Sequence, residues 1–186
     1  MEKIKLKSVC FTAFFTVVLS TITVICKAQE TKNNLQDKAS VCFTPGEDCT
    51  SLIINEIRKA KKEILVQAYS FTSAPIAKAI LAAFTRGVKI QIILDKSQES
   101  AHYSETDFFS QMGIPTYIDS AHAIAHNKVI IIDNDTLITG SFNFTKAAQE
   151  KNAENLLILH DPAMIDLYKK NWQIHLQHSE IYSPKH

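Results

Sequence analysis

The sequence predicts an α/β fold: a single-domain, layered α-β-α sandwich around a mixed, mostly parallel sheet. Short apolar runs typical of strands alternate with segments of helical length and periodicity between residues 40 and 178. Such alternation is typical of sheets that carry helices on both faces. With 186 residues, 46% hydrophobic and 21% charged, the chain has the size and composition of one globular domain.

The individual elements follow from apolar spacing and from the residues that end each segment. Ile53, Ile57 and Ala60 lie on the apolar stripe of the first helix, and Gly113 ends the third. The apolar run 129–132 is typical of a strand buried on both faces. In order, we predict strand 40–44, helix 49–62, strand 64–70, helix 74–86, strand 88–94, helix 104–112, strand 115–118, a strand through 129–132, strands 136–139 and 155–160, and helix 162–178.

The N-terminal segment 1–28 has the layout of a secretory signal peptide. Three lysines precede an apolar stretch from Val9 to Cys26, and Ala28 offers the small residue that suits a signal peptidase. An uncleaved membrane anchor is the alternative, because the stretch approaches the ~20 residues of a spanning helix. Residues 29–38 are polar and indicate a flexible leader. The folded domain is then 39–186, and we expect it to be periplasmic or secreted, with no stable membrane association once the signal is cleaved.

Loss of the signal segment would leave a domain of nearly balanced charge. The segment carries four of the 20 basic and one of the 19 acidic residues, so 16 basic and 18 acidic side chains remain. This balance argues against binding of nucleic acid through a broadly basic surface. Any contact with a polyanion must therefore be local.

Cys42 and Cys49 are the two cysteines that remain after the signal segment. They bracket a turn-rich loop, Phe-Thr-Pro-Gly-Glu-Asp. In an oxidising compartment a short-loop disulfide is expected, whereas two cysteines without a matching Cys or His pair make a poor zinc site. We therefore expect a disulfide that fixes this loop.

Two pairs of polar residues share the spacing of a strand face. His126 and Lys128 are two residues apart, so both project from the same face of an extended strand. Ser141 and Asn143 repeat the spacing directly after Gly140. A candidate nucleophile beside a fixed positive charge, with short hydrogen-bonding side chains facing it, suits an oxyanion such as phosphate.

The full string, His126-x-Lys128-x4-Asp133 followed by Gly-Ser141-x-Asn143, resembles the signature of the phospholipase D superfamily. Within the superfamily, the chain resembles the small, single-motif, EDTA-resistant bacterial nucleases. This resemblance extends over residues 40–178, with matching segments at 68–72, 86–88, 139–148 and 152–155. The resemblance implies a phospholipase D-like fold and a metal-independent, sequence-nonspecific endonuclease. Such an enzyme hydrolyses DNA through a covalent phosphohistidine, and RNA stays open as a further substrate.

A homodimer also follows from the resemblance and from the chemistry. One imidazole attacks phosphorus and a second protonates the leaving oxygen, yet the motif supplies one histidine per chain. His126 would be nucleophile in one subunit and general acid in the other, across a two-fold axis. Lys128, Ser141 and Asn143 would contact the phosphate oxygens.

Two carboxylates have supporting roles in this scheme. Glu154 lies where the family pattern places a carboxylate that holds the second ring nitrogen of the histidine. Asp133 sits an odd number of residues from His126, at the end of the strand, so it should not face the pocket. We expect Asp133 to support the structure.

The remaining histidines suggest neither a metal site nor a cofactor site. His122 lies four residues before His126, but no helix is indicated there and no third ligand is evident. We expect surface or packing roles for the others, which are His102, His160, His175, His178 and His186.

Two other functions stay open beside the nuclease. A phospholipid hydrolase would use the same chemistry, but no acyl-chain pocket or lipid-docking helix is evident in the sequence. A noncatalytic DNA-binding or DNA-uptake protein could keep the fold without the reaction. The intact motif argues against that second alternative.

Overall fold

A mixed sheet of eight strands forms the centre of the computed structural model, which describes residues 38–101 and 104–184. The strands are β1 (Ala39–Thr44), β2 (Glu63–Ala68), β3 (Lys89–Asp95), β4 (Thr116–Asp119), β5 (Lys128–Ile132), β6 (Thr136–Gly140), β7 (Glu154–Leu159) and β8 (Glu180–Ile181). Their order across the sheet is β1-β7-β6-β5-β2-β3-β4-β8. The strand with the predicted nucleophile motif, β5, is therefore an interior strand.

Five α-helices and one 3₁₀ turn accompany the sheet in the described ranges. The helices are α1 (Cys49–Lys59), α2 (Ala74–Thr85), α3 (Thr106–Gln111), α4 (Lys146–Glu150) and α5 (Pro162–His178), and the 3₁₀ turn is Lys96–Glu99. Asp48 caps α1 by accepting a hydrogen bond from the Ser51 amide, and Asp161 caps α5 ahead of Pro162. The helices α1, α2, α3 and α5 match the sequence prediction, whereas α4, β8 and the 3₁₀ turn were not predicted.

The predicted layered α/β sandwich with a mixed sheet is confirmed, but the expectation of mostly parallel pairing is wrong. Only the pairs β2–β3 and β3–β4 are parallel among the described strands. The other five neighbouring pairs are antiparallel. The connections explain the difference. α2 and α3 form crossovers between parallel strands, whereas the three-residue turn 133–135, in which Asp133 and Asn134 have positive φ, joins β5 to β6 as a hairpin.

Helices cover both faces of the sheet and bury its apolar residues. Ile64 on β2 faces the layer of α1 to α4, where Ile53 and Phe109 are fully buried. Its neighbour Leu65 faces the opposite layer, where Trp172 of α5 packs. The indole nitrogen of Trp172 donates to a β2 carbonyl at 2.9 Å. The alternation along β2 thus assigns each face to its own helical layer.

The predicted disulfide is confirmed. Cys42 on β1 and Cys49 at the start of α1 are bonded to each other, and both are buried. The bond closes the loop that carries the cis peptide Thr44–Pro45. It therefore fixes the connection between the first strand and the first helix, the role expected from the sequence.

The predicted signal peptide, residues 1–28, lies outside the described residues, as do leader residues 29–37. His102 and His186 lie outside them too. None of the helices in the described ranges is long and apolar enough to span a membrane.

Candidate active site

One edge of the sheet gathers the residues of both motifs. β5 begins there at Lys128, β6 ends there at Gly140, and β7 begins there at Glu154. Gly140 pairs with Leu156, two residues into β7. Because these three strands run antiparallel to their neighbours, the start of β5, the end of β6 and the start of β7 meet at the same edge.

His126 and Lys128 share an aromatic neighbour at this edge. The His126 side chain is exposed, and its ring centroid lies 4.5 Å from that of Tyr69, which directly follows β2. Lys128 Nζ lies 5.1 Å from the centroid of the same ring and donates a hydrogen bond of 2.7 Å to the His126 carbonyl. The Tyr69 amide donates to the Asn127 carbonyl at 2.9 Å and extends the strand pairing. Both side chains therefore project to one side, in agreement with their two-residue spacing.

The ammonium group of Lys128 is poorly solvated. The residue is 6% exposed, and burial lowers the pKa of Lys128, although the nearby Glu154 carboxylate opposes this shift. A cation that has lost hydration interacts more strongly with an anion than a hydrated one does. The position of Lys128 thus favours an anionic ligand at the edge of the sheet.

Ser141 and Glu154 form a hydrogen-bonded pair beside this cation. Ser141 Oγ donates to Glu154 Oε2 at 2.6 Å and accepts from the Asn155 amide at 3.0 Å. The other carboxylate oxygen accepts from Asn152 Nδ2 at 3.0 Å. Within the described residues of one chain, Glu154 makes no hydrogen bond to His126. Its contact with the imidazole therefore stays a prediction.

Asn143 carries an unpaired polar atom. Its side-chain oxygen is buried and has no hydrogen-bond partner among the described residues. The Asn143 backbone carbonyl, by contrast, accepts from the Thr145 amide at 2.7 Å. A buried polar group without a partner costs about 1–3 kcal/mol, so such groups are rare and are often associated with a functional site.

Gly140 brings β6 into close contact with β7 just before Ser141. Its φ is +140°, and a Cβ at this position would lie 2.3 Å from the Asn155 carbonyl oxygen. That oxygen accepts hydrogen bonds from the amides of Ser141 and Phe142, at 3.1 and 3.2 Å. The absence of a side chain at Gly140 thus lets the Ser141–Asn143 segment turn at the end of the strand.

Asp133 lies at the opposite end of β5 from Lys128. Its carboxylate accepts hydrogen bonds from three consecutive amides, those of Lys61, Lys62 and Glu63, at 2.7, 2.7 and 2.9 Å. Burial alone would raise the pKa of Asp133, but these hydrogen bonds lower it overall. The residue ties the β5–β6 hairpin to the start of β2 and does not share the edge with His126.

Asp133→Asn should destabilise the fold by about 2 kcal/mol at neutral pH, because a carboxylate accepting three amides is replaced by a neutral amide. The folded-state pKa is depressed, so this stabilisation is complete above the ordinary value of 3.8 and is lost as the pH falls through the lower folded value. Urea unfolding of both proteins across acid pH would measure the difference. A difference that stays constant down to the lowest pH would contradict this assignment.

The sequence analysis did not predict the contacts of two groups of residues. Tyr69 belongs to a segment that resembles the family, but its contact with His126 and Lys128 becomes visible only in the structure. The expectations for His122, His175 and His178 are also corrected, because all three imidazoles contact the carboxylate of Asp119. The three-residue spacing of His175 and His178 on one helix face was the signal available in the sequence.

Comparison with known proteins agrees with the fold and with the family resemblance. A family model described as "Cardiolipin synthase, PLD-like domain" matches residues 53–175. The phospholipase D of Rickettsia conorii is 42% identical over 164 residues, which are 86% of this chain and 82% of the relative.

Two solved structures are similar over nearly their whole length. Nuc from Salmonella typhimurium, a phospholipase D family member, has a TM-score of 0.75 at 37% identity, covering 78% of this chain and 98% of Nuc. NucT from Helicobacter pylori has a TM-score of 0.71 at 29% identity, covering 78% and 99%. The chain therefore belongs to the phospholipase D superfamily and is a hydrolase of phosphodiester bonds.

Proposed function

We propose that this protein is a metal-independent, sequence-nonspecific endonuclease that hydrolyses DNA, with an active site shared across a homodimer. The observation that carries the proposal is the pairing of an exposed His126 with a buried Lys128 at one edge of the sheet. Ser141, Asn143 and Glu154 belong to the strand ends at the same edge. This set combines a nucleophile, a positive charge and hydrogen-bonding groups suited to a phosphodiester.

The chemistry follows from these groups. A ring nitrogen of His126 attacks phosphorus, the bond to the leaving nucleoside oxygen breaks, and a phosphohistidine forms. A second, protonated imidazole gives its proton to that oxygen. Water then attacks the phosphohistidine and loses its proton to the second imidazole, which restores both histidines. Lys128 offsets the phosphate charge throughout, a task that bound cations perform in other nucleases.

The need for a second imidazole supports the dimer. Among the described residues the aromatic neighbour of His126 is Tyr69, and no second histidine is in ring contact with it. A second copy related by a two-fold axis would bring its own His126 to the same phosphate.

DNA is favoured as the substrate by the resemblance to the nuclease branch and by the likeness to Nuc and NucT. Both of these chains match over nearly their full length. The disulfide and the signal-like N-terminus favour a periplasmic or secreted enzyme. Under this proposal the mature chain would work on extracytoplasmic DNA.

A phospholipid hydrolase is the second candidate. The relative from Rickettsia conorii is named a phospholipase D, and the matching family model is described by cardiolipin synthase. The same histidine chemistry would then cleave the phosphodiester of a lipid headgroup.

One set of assays separates the candidates. The purified full chain is incubated in EDTA with supercoiled plasmid, with an RNA of random sequence, and with vesicles of phosphatidylglycerol or cardiolipin. His126→Ala is the variant, and His160→Ala is the matched control, because His160 contacts Thr136 and the Asp135 carbonyl outside the site. The proposal expects plasmid cleavage by the wild type and by His160→Ala, and none by His126→Ala.

Other outcomes count against the proposal. Lipid hydrolysis without DNA cleavage would assign the chain to the second candidate. Plasmid that is bound but not cut by any of the three proteins would indicate a DNA-binding protein. Cleavage of RNA beside DNA would widen the substrate class without changing the mechanism.

A further inference from the structure

Three histidines converge on a buried aspartate at the end of β4. Asp119 is the last residue of the strand and its side chain is 0% exposed. His122 lies in the loop that follows, and His175 and His178 lie one turn apart on α5. A strand end, a loop and a helix thus contribute to one cluster, which has no part in the site described above.

The contacts between these side chains are short. His175 Nδ1 lies 2.7 Å and His178 Nε2 lies 3.3 Å from Asp119 Oδ2. His122 Nδ1 lies 3.0 Å from Oδ1 and 3.1 Å from Oδ2 of the same carboxylate. One potential ligand atom from each of the four residues lies within 4.8 Å of all the others.

The arrangement resembles the ligand shell of a tetrahedral metal ion. With bonds of about 2.0–2.2 Å, the ligand atoms of a tetrahedral zinc site lie about 3.3 Å from one another. The distances from the Asp119 oxygens to the three ring nitrogens, 2.7 to 3.3 Å, are close to that value. Small side-chain rotations would therefore place all four atoms at bonding distance from a central ion.

The three imidazole rings lie close together around the Asp119 carboxylate. The three ring centroids lie 4.9, 5.1 and 5.2 Å apart, with planes inclined at 37° to 66° to one another. Asp119 Oδ2 accepts from His175 and His178, and Oδ1 accepts from His122 and from the Ala121 amide at 3.1 Å. An ionised carboxylate has about four lone-pair sites, so these four donors occupy all of them. Three imidazoles around one buried carboxylate thus form a compact set of potential metal ligands.

We propose that Asp119, His122, His175 and His178 bind one Zn²⁺ ion. Three imidazole nitrogens and one carboxylate oxygen suit zinc, whereas Mg²⁺ and Ca²⁺ prefer shells of oxygen ligands. Four protein ligands close a tetrahedral shell and leave no position for a reacting water, which is the pattern of structural zinc sites.

The zinc site is separate from the candidate active site. In the sheet, β2 and β3 lie between β5, which carries Lys128, and β4, which ends at Asp119. Three inter-strand spacings amount to about 14 Å. A structural ion at this distance is compatible with cleavage that needs no metal at the phosphate.

The ion would join the loop after β4 to the C-terminal helix. That loop is also held at two other points: the Ala125 amide donates to Asp95 Oδ2 at 2.7 Å, and Lys96 Nζ donates to the His122 carbonyl at 2.9 Å. On the helix side, Ser179 Oγ donates to the His175 carbonyl at 2.7 Å. Zinc would therefore stabilise the packing of α5 against the end of β4.

The test is zinc binding by the full chain after removal of metal with a chelator. Zinc chloride is titrated in competition with a chromophoric chelator, and metal content is measured after dialysis. The proposal expects one zinc per chain and a loss of affinity of more than about 100-fold in His175→Ala and in His178→Ala, beyond the 10–100-fold typical of a merely supporting residue. His160→Ala should bind zinc as the wild type does.

Thermal unfolding supplies a second readout. Zinc at about 100 times its dissociation constant should raise the Tm of the wild type by about 5–10 °C. His122→Ala should lose most of this rise, and because the His122 side chain is 46% exposed, this variant removes a ligand without opening the core. Cobalt chloride should give the visible absorption of a tetrahedral site in the wild type and in His160→Ala, but not in His122→Ala.

Two results would overturn the proposal. One is zinc binding by the wild type that is no tighter than binding by the His175→Ala, His178→Ala double variant. The other is an equal loss of affinity in His160→Ala, which would indicate nonspecific binding to surface histidines.

Discussion

His126→Ala is expected to reduce DNA cleavage by at least about 10⁴-fold while leaving the fold intact. The variant removes the proposed nucleophile, and losses of this size are typical when a nucleophile is deleted. The side chain is exposed, so its removal leaves no cavity in the core. Initial rates of plasmid nicking give the loss, and circular dichroism with urea unfolding gives the stability. A variant with more than a hundredth of the wild-type rate would contradict the assignment of His126.

Mixed dimers test whether one phosphate needs two copies of His126. Wild-type and His126→Ala chains are unfolded together in equal amounts, with the disulfide kept, and then refolded. If both imidazoles act at one site, only dimers of two wild-type chains are active, which is about a quarter of the dimers. Refolded wild type alone sets the reference rate. Activity of about one half would instead mean that each chain works by itself.

Gly140→Ala should destabilise the protein by about 4 kcal/mol, the largest effect that we expect from a single methyl group. At φ +140° a side chain is strained, and the added Cβ would lie 2.3 Å from the Asn155 carbonyl oxygen. The colliding atom belongs to the backbone of β7, so relief requires movement of a strand, and overpacking adds its own cost. The change is a large part of the 5–15 kcal/mol that stabilises a typical domain. Urea unfolding measures it directly.

Gly113→Ala is the matched control for this prediction. Gly113 also has a positive φ, of +76°, but a Cβ there would meet nothing within 4 Å. This variant should lose only about 1 kcal/mol, from backbone conformation alone. Equal losses in the two variants would mean that the contact with Asn155 is unimportant.

The elements that the sequence predicts well are those long enough to show a period. α5, for example, was predicted at 162–178 and begins and ends at those residues. α4 has five residues, too few for a helical repeat, and its start depends on a local hydrogen bond from the Ala148 amide to the Thr145 hydroxyl. Pairing directions were harder to predict, because strand alternation does not reveal which connections cross the sheet and which turn back on themselves.

The candidate active site and the cluster on Asp119 differ in how far apart their residues lie in the sequence. The residues of the candidate active site lie at or next to the ends of three consecutive strands, so spacing alone could group them: His126, Lys128, Ser141, Asn143 and Glu154. The cluster on Asp119 could not be grouped in this way, because His175 follows that residue by 56 positions. Only the packing of α5 against the end of β4 brings the two together. Tyr69 is a similar case, since the pairing of β2 with β5 sets its place beside His126.

The strand β5 spans the sheet from the edge with the candidate active site to the opposite edge. Lys128 lies at the first edge. Asp133, which accepts hydrogen bonds from the amides of residues 61–63, lies at the other. Their separation along an extended chain is about 17 Å, the width of the sheet at this point. One residue inserted into β5 would move every following side chain of the strand to the opposite face of the sheet. The fixed spacing between the lysine and the aspartate of the motif is thus set by the length of a strand that crosses the sheet. A sequence that contains this motif therefore indicates the fold as well as the chemistry.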